Sequence, residues 1–174
     1  MNVDLQPVLE GQTLLLRPLQ PEDFDLLFQA ASDPLIWEQH PNPNRYKREE
    51  FEKFFTGAVE SRGALVVIDK ASGEIIGSSR YYEWDAAQQK VFIGFTFITR
   101  PYWGGSTNRE MKKLMLDHAF QWAGEVWFHV GKENWRSRKA MEKIGGVYSH
   151  EAKVDVGFAL IDYVFYRINK PGIL

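Results

Sequence analysis

Cysteine is missing from all 174 residues, which excludes disulfide bridges, cysteine nucleophiles and thiolate metal sites and fits a reducing, cytoplasmic setting. Long apolar runs are missing as well: no segment approaches the roughly 20 residues that a membrane-spanning helix needs. Nor is there an excess of one charge. Lys and Arg number 21 against 23 Asp and Glu, a formal net charge of −2, so nothing draws the chain generally to nucleic acid or to an anionic membrane. The opening Met-Asn-Val-Asp-Leu-Gln has neither the basic region nor the apolar stretch of a signal peptide. Repeats, low-complexity tracts and linkers are lacking too. The length fits one domain over residues 1–174, acting as a monomer or homodimer.

What is present is apolar and aromatic: 44% hydrophobic residues with 12 Phe, 7 Tyr and 6 Trp, ample for a full core. The chain is organised around the stretch from Lys90 to Ala123. Val91, Phe92, Ile93, Phe95, Phe97 and Ile98 form a nearly unbroken β-branched and aromatic run, which predicts a strand covered on both faces. Pro101 cannot donate to a ladder and ends that strand near Thr99 or Arg100. Gly104 and Gly105 free the backbone for a tight turn. Thr107-Asn-Arg-Glu110 matches a capping box, followed by Met111, Leu114, Met115, His118, Ala119 and Trp122 at helical spacing. A glycine turn feeding a helix start gathers unpaired N–H groups at the positive end of the helix dipole, which suits a phosphate. Taken alone, the unit is equally a well-capped packing element. It is neither the three-glycine dinucleotide fingerprint nor a P-loop.

On either side the pattern continues. Thr13 to Leu19 reads as a strand closed by Pro18, and Pro21-Glu-Asp-Phe24 opens a helix stopped by Ser32-Asp33-Pro34. A second helix over Lys47 to Glu60 carries Phe51, Phe54, Phe55 and Val59 on one stripe. Ala64 to Asp69 and Glu74 to Glu83 are strands that reach the central one through turns at Ser72-Gly73 and Asp85 to Gln89. Beyond the central helix lie a short strand at Glu125 to Val130 and a helix capped by Asn134 and ended by Gly145-Gly146. Strands near Val147 to Glu151 and Gly157 to Tyr166 close the chain. The order is β-α-α-β-β-β-α-β-α-β-β, a mixed α/β sheet.

In this order and spacing, several short pieces resemble the GNAT superfamily of N-acetyltransferases over nearly the whole chain. They are Leu16-Arg-Pro-Leu19, Ser32-Asp-Pro34, Ile75-Ile-Gly77, Ile93-Gly-Phe95, Tyr102-Trp-Gly104, Asn134-Trp-Arg-Ser137 and Glu142-Lys-Ile-Gly-Gly146. The nearest branch is that of the ribosomal-protein N-terminal acetyltransferases. The resemblance implies a mostly antiparallel mixed sheet with helices on both faces, and acetyl-CoA as co-substrate with no metal. It implies that Val91 to Ile98 and the next parallel strand splay apart around the pantetheine arm, with Phe97, Ile98 and Thr99 at the cofactor. Pyrophosphate would meet the turn and helix start at Trp103, Gly104, Gly105, Ser106, Thr107, Asn108 and Arg109. Asn134 and Ser137 fall beside the thioester in that branch. Arg136, Arg138, Lys139 and Lys143 form a basic helix face that reads either as a solvated surface or, for one or two of its members, as a partner for the cofactor's ribose phosphate.

Three departures from the family pattern involve four positions. Ser106 and Asn108 stand where glycine and a small residue are usual, Met141 replaces a tyrosine able to protonate the leaving thiolate, and Phe92 replaces a glutamate before Ile93-Gly94. With no cysteine to carry an acetyl group, transfer to a primary amine would run by direct attack in a ternary complex. That requires a neutral amine, hence a base, and donors for the oxyanion. Glu83, at a strand end beside the central strand, is the candidate base and reads equally as a solvated carboxylate; Asn134 and Ser137 complete the catalytic candidates. His118 and His129 read as packing histidines. Trp37, His40, Tyr81, Tyr82 and Trp84 are candidates for the acceptor wall, where rings give shape and cation–π contact, or for the core. The competing class is a non-catalytic acetyl-CoA or acyl-CoA binding domain.

Overall fold

Strands take up the β-branched and aromatic runs, and helices the stripes spaced by three and four. The computed structural model describes residues 2–172. Its elements in chain order are β1 (Leu9–Glu10), β2 (Leu14–Pro18), α1 (Phe24–Ala31), α2 (Arg48–Ser61), β3 (Ala64–Asp69), β4 (Ile75–Asp85), β5 (Lys90–Ile98), α3 (Thr107–Ala119), β6 (Glu125–Gly131), α4 (Trp135–Lys143), β7 (Val147–Asp155) and β8 (Leu160–Asn169). One sheet holds all eight strands in the order β1-β2-β3-β4-β5-β6-β8-β7, and only the β5–β6 pair is parallel. The mixed α/β class and the meander through β3, β4 and β5 are as the sequence predicts. β1 carries no sequence signal, because two residues are too few to show alternation. No helix among the described residues is long and apolar enough to cross a membrane.

Alternation within the strands divides the core into two clusters. Leu65 and Val67 of β3 enter one cluster, with Met111, Met115 and Ala119 of α3 and Met141 of α4. Ala64 and Val66 enter the other, with Leu27 and Ala31 of α1 and Phe51, Phe54 and Phe55 of α2. In β5 the alternation breaks. Val91 and Ile93 face the α3 side, yet Phe97 faces the α2 side and Ile98 the α3 side. The register explains it: Arg80 pairs Gly94 and Ser78 pairs Phe97, so β5 has one residue more than β4 over this interval. The extra residue makes a β-bulge, and Phe95 sits in it with φ of +52°, an unusual conformation for a residue with a bulky side chain.

The capping box predicted at the start of α3 does not form. Ser106 holds the N-cap position with no side-chain bond, and the Glu110 carboxylate crosses instead to β2. There it accepts from Thr13 N–H (3.0 Å), Thr13 Oγ1 (2.7 Å) and Leu14 N–H (2.7 Å). Three donors from Thr13 and Leu14, at the entry to β2, outcompete the one local donor that a capping box offers. Gly11 leaves room for this strap, since a Cβ there would lie 2.6 Å from Glu110 Oε2. The first amides of α3 consequently carry no side-chain cap.

Because Glu110 ties α3 to the sheet and Thr107 caps nothing, the two have unequal weight. Glu110→Ala is expected to lose about 1.5–3 kcal/mol of stability in urea denaturation, the usual scale for hydrogen bonds to a charged group. Thr107→Ala should stay within about 0.5 kcal/mol of the wild type, as ordinary surface substitutions do.

Candidate active site

The parallel ladder between β5 and β6 is short. Lys90, Val91 and Phe92 pair with Glu125, Val126 and Trp127, and there the pairing stops. β6 runs on against β8 to Gly131, and β5 runs on against β4 to Ile98, so the two strands splay. The space between them is a cleft of about 570 Å³ bounded by the β5 and β6 ends, the Tyr102 to Gly105 turn, the start of α3 and one face of α4. The aromatic loop between α1 and α2 closes one side with Trp37 and His40.

The cleft gathers many of the residues singled out in the sequence. Phe97, Ile98, Trp103, Gly104, Gly105, Asn108, Arg109, Asn134, Ser137, Trp37 and His40 all line it. Trp103 is held by its indole N–H to Ile98 C=O (2.8 Å), and Tyr102 donates to Asp69 at 2.7 Å, which pins the turn to the sheet. Gly104 takes φ of +77°, the left-handed conformation that makes glycine the fitting residue there. Asn134 caps α4 by accepting from Ser137 N–H at 3.4 Å, and Gly146 N–H closes its far end on Met141 C=O at 2.9 Å.

Other candidates stand outside the cleft. Thr99, Ser106 and Thr107 do not line it, and Arg138 turns away to Tyr166 and the Lys132 carbonyl. Tyr81 is core, donating to Met115 C=O at 2.6 Å, and Trp84 packs edge-on against Trp122. Tyr82 lies on the opposite face from Tyr81, its ring 5.1 Å from that of Phe95 and its hydroxyl buried without a partner. Glu83, which itself takes φ of +51° near the end of β4, is exposed and does not line the cleft.

The electrostatics are one-sided. Among the described residues no Asp or Glu lines the cleft, while Arg109, Lys112, Arg136, Lys139 and Lys143 do. Arg136 is committed to structure: it donates to Ile36 C=O at 2.9 Å and stacks 3.9 Å over Trp103. Two cleft imidazoles are held neutral. Burial, then the charge of Arg45, pushes His40 down to about 3, and burial pushes His129 down to about 4.

Lys112 and Tyr163 carried no signal in the sequence. Lys112 reads as one more charge on an amphipathic helix, and only the splay of β5 from β6 puts it under the sheet. It is 1% exposed, donates to Thr96 Oγ1 (3.0 Å) just past the bulge, and has no carboxylate partner among the described residues. Burial pushes its pKa down to about 7. Tyr163, on β8 beyond β6, is a buried phenol on the cleft wall.

Between about pH 7 and the ordinary value of 10.5, unfolded Lys112 binds a proton that the folded protein does not, so stability from this group rises with pH across that window. Lys112→Met should therefore be more stable than the wild type near pH 7, by about 1–4 kcal/mol. The gap should close toward pH 10 in urea denaturations run at stepped pH. A gap independent of pH would mean that Lys112 is not a buried, titrating cation.

Comparison with known proteins agrees with this geometry. Residues 13–147 match the family model described as an acetyltransferase (GNAT) domain. No curated protein sequence matches the chain. Among solved structures, a GCN5-related N-acetyltransferase from Brucella melitensis aligns with a TM-score of 0.81 at 24% identity, over 95% of this chain and 79% of that one. Spermidine N-acetyltransferase from Vibrio cholerae, in complex with CoA and spermine, aligns at 0.68 and 19% identity, over 92% and 97%. Mycobacterium smegmatis RimJ, in complex with CoA-disulfide, aligns at 0.70 and 18% identity, over 90% and 81%. These likenesses are of fold, whereas the family match extends over most of the sequence, and by it the chain belongs to the GNAT family of acetyltransferases.

Proposed function

We propose that the protein transfers the acetyl group of acetyl-CoA to a primary amine by direct attack within a ternary complex. The observation that carries this is a basic, carboxylate-free cleft opened by the splay of β5 and β6, with uncapped α3 amides at one end and the Phe95 bulge at the other. Such a cleft suits CoA along its length. Arg109, Lys139 and Lys143, none of them in an ion pair with the described residues, would face its phosphates, together with the amides at the α3 start. The facing edges of β5 beyond Phe92 and of β6 beyond Trp127 offer unpaired backbone groups to the pantetheine amides. The CoA in the Vibrio structure and the CoA-disulfide in the Mycobacterium structure, both of this fold, support the same reading.

When bound, acetyl-CoA supplies the thioester carbonyl that the amine attacks. Asn134 fixes the first turn of α4 and so positions Ser137, whose hydroxyl would donate to the departing thiolate. Met141 cannot serve as that donor, and the buried phenol of Tyr163 is a second group on the same wall that can. Removal of the ammonium proton falls to groups inside the cleft rather than to Glu83. Lys112 has a pKa near neutrality, as general base catalysis favours, and the neutral His40 and His129 line the same cleft.

A non-catalytic acyl-CoA binder remains the second reading, favoured by Met141 and by the absence of a carboxylate from the cleft. Thiol release in the presence of an amine panel separates the two: an enzyme releases CoA only when an acceptor is present. Both readings require binding, so acetyl-CoA at about one hundred times its Kd should raise stability by about 2.7 kcal/mol.

Gly105 offers a test of place. A Cβ there meets nothing within 4 Å and the backbone is not left-handed, so Gly105→Val leaves the fold intact. It should still weaken acetyl-CoA binding at least tenfold in calorimetry, because a branched side chain would stand between the turn and a pyrophosphate. Unchanged affinity would place the cofactor elsewhere. Ser137→Ala should lower kcat with little effect on the acetyl-CoA Kd.

A further inference from the structure

A second cavity of about 660 Å³ adjoins the cleft on the α2 side of the sheet, with Phe95 of the bulge lining both. Two guanidinium groups reach it, Arg45 from the loop before α2 and Arg80 from β4. Arg80 is 7% exposed, lies 3.8 Å over the Phe95 ring and leaves its Nε buried without a partner. Arg45 lies over the Trp37 and Phe54 rings at 5.4 and 4.9 Å, and its Nε is likewise orphaned. Its nearest polar neighbour offers little. His40 Nδ1 accepts from Asn42 N–H, so the neutral ring carries its proton on Nε2, and that nitrogen, 3.4 Å from Arg45 Nη1, has no lone pair to give.

Neither guanidinium forms an ion pair with a carboxylate among the described residues. The arginines that form ion pairs, Arg17, Arg48, Arg100 and Arg167, do so elsewhere. The one acid lining this cavity among the described residues, Glu50, acts on Arg45 through its charge without a hydrogen bond, its oxygens being engaged by Asn42 and Lys53 at 3.1 Å each. Two unpaired, desolvated cations side by side cost folding free energy, and burial together with their mutual repulsion holds Arg80 at about 10. Aromatic stacking offsets part of that cost but satisfies no N–H donor. What satisfies a pair of guanidinium forks is an oxyanion.

We propose that the acceptor is an anionic amine, with a carboxylate or phosphate group seated on Arg45 and Arg80 while its amine reaches the thioester past Phe95. This rests on the N-acetyltransferase reading above. It also sets this chain apart from an enzyme for polyamines, because a polycation would enter a cavity lined by two free cations and no free carboxylate.

The test uses matched acceptors with the whole protein and acetyl-CoA: glycyl-aspartyl amide against glycyl-asparaginyl amide, glycine against glycinamide, phosphoethanolamine against ethanolamine, and spermidine alone. In at least one pair the anionic member should have at least tenfold higher kcat/KM, and the pair that shows it identifies the oxyanion as a peptide side chain, a free amino acid or a phosphate. Arg45→Met and Arg80→Met should bring that ratio to near unity. Because each removes a buried unpaired charge, both variants should melt no lower than the wild type, so loss of fold does not mimic loss of selectivity. Equal rates within every pair, a preference for the neutral members or for spermidine, or a ratio that survives both substitutions would overturn the proposal. Should acetyl-CoA bind and no amine be acetylated, the transferase reading fails by itself. The anion site is then read by calorimetric titration of the CoA-loaded protein with glycyl-aspartyl amide and inorganic phosphate: binding that Arg80→Met abolishes upholds it, and no binding refutes it.

Discussion

A parallel ladder that ends after three residue pairs governs the rest of this structure. Had β5 and β6 stayed paired beyond Phe92 and Trp127, their backbone groups would satisfy one another and no cleft would exist. Each strand is kept extended by its outer neighbour, β4 for β5 and β8 for β6, so the inner edges part without unravelling the sheet. The bulge at Phe95 adds to this. One extra residue reverses the facing of everything after it, which sends Thr96 and Ile98 toward α3, and Phe97 toward α2. The strained backbone of a bulky residue thus sits where the two cavities meet, a common place for strain to be kept.

Charge follows the same geometry. Near-neutrality of the whole chain conceals a cleft whose charged lining is basic and a neighbouring cavity with two arginines outside any ion pair among the described residues, while several carboxylates are spent on structure. Glu110 straps α3 to β2, Asp33 pairs Arg100, and Asp69 holds Tyr102 of the turn. Each of these acids braces the glycine turn or the helix that follows it, and each lies outside the cleft. A site left short of negative charge in this way stays receptive to anions, at a stability cost visible in the buried Lys112, Arg45 and Arg80.

Much of the fold was legible because it depends on residues close together in the chain. Apolar runs and the turns between them marked β3, β4 and β5, the stripe of phenylalanines marked α2, and glycine pairs marked the turn before α3 and the end of α4. Asn134 as a cap needed only its neighbour Ser137. Where a local motif competed with a distant partner, the local reading failed. Thr107 and Glu110 have capping-box spacing, but Glu110 found three donors on Thr13 and Leu14 at the entry to β2.

The site divides along the same line. The sequence by itself determined that the chemistry uses no cysteine, that a glycine turn opens a helix suited to phosphate, and which residues stand at that turn. It carries the family as well, in short pieces spread over its length. Only the tertiary structure decided that Glu83 faces solvent, that Lys112 is buried and unpaired, and that Arg45 and Arg80 share one cavity. The reason is physical: periodicity and turn chemistry act over a few residues, whereas burial and charge pairing depend on which distant segments the sheet order brings together.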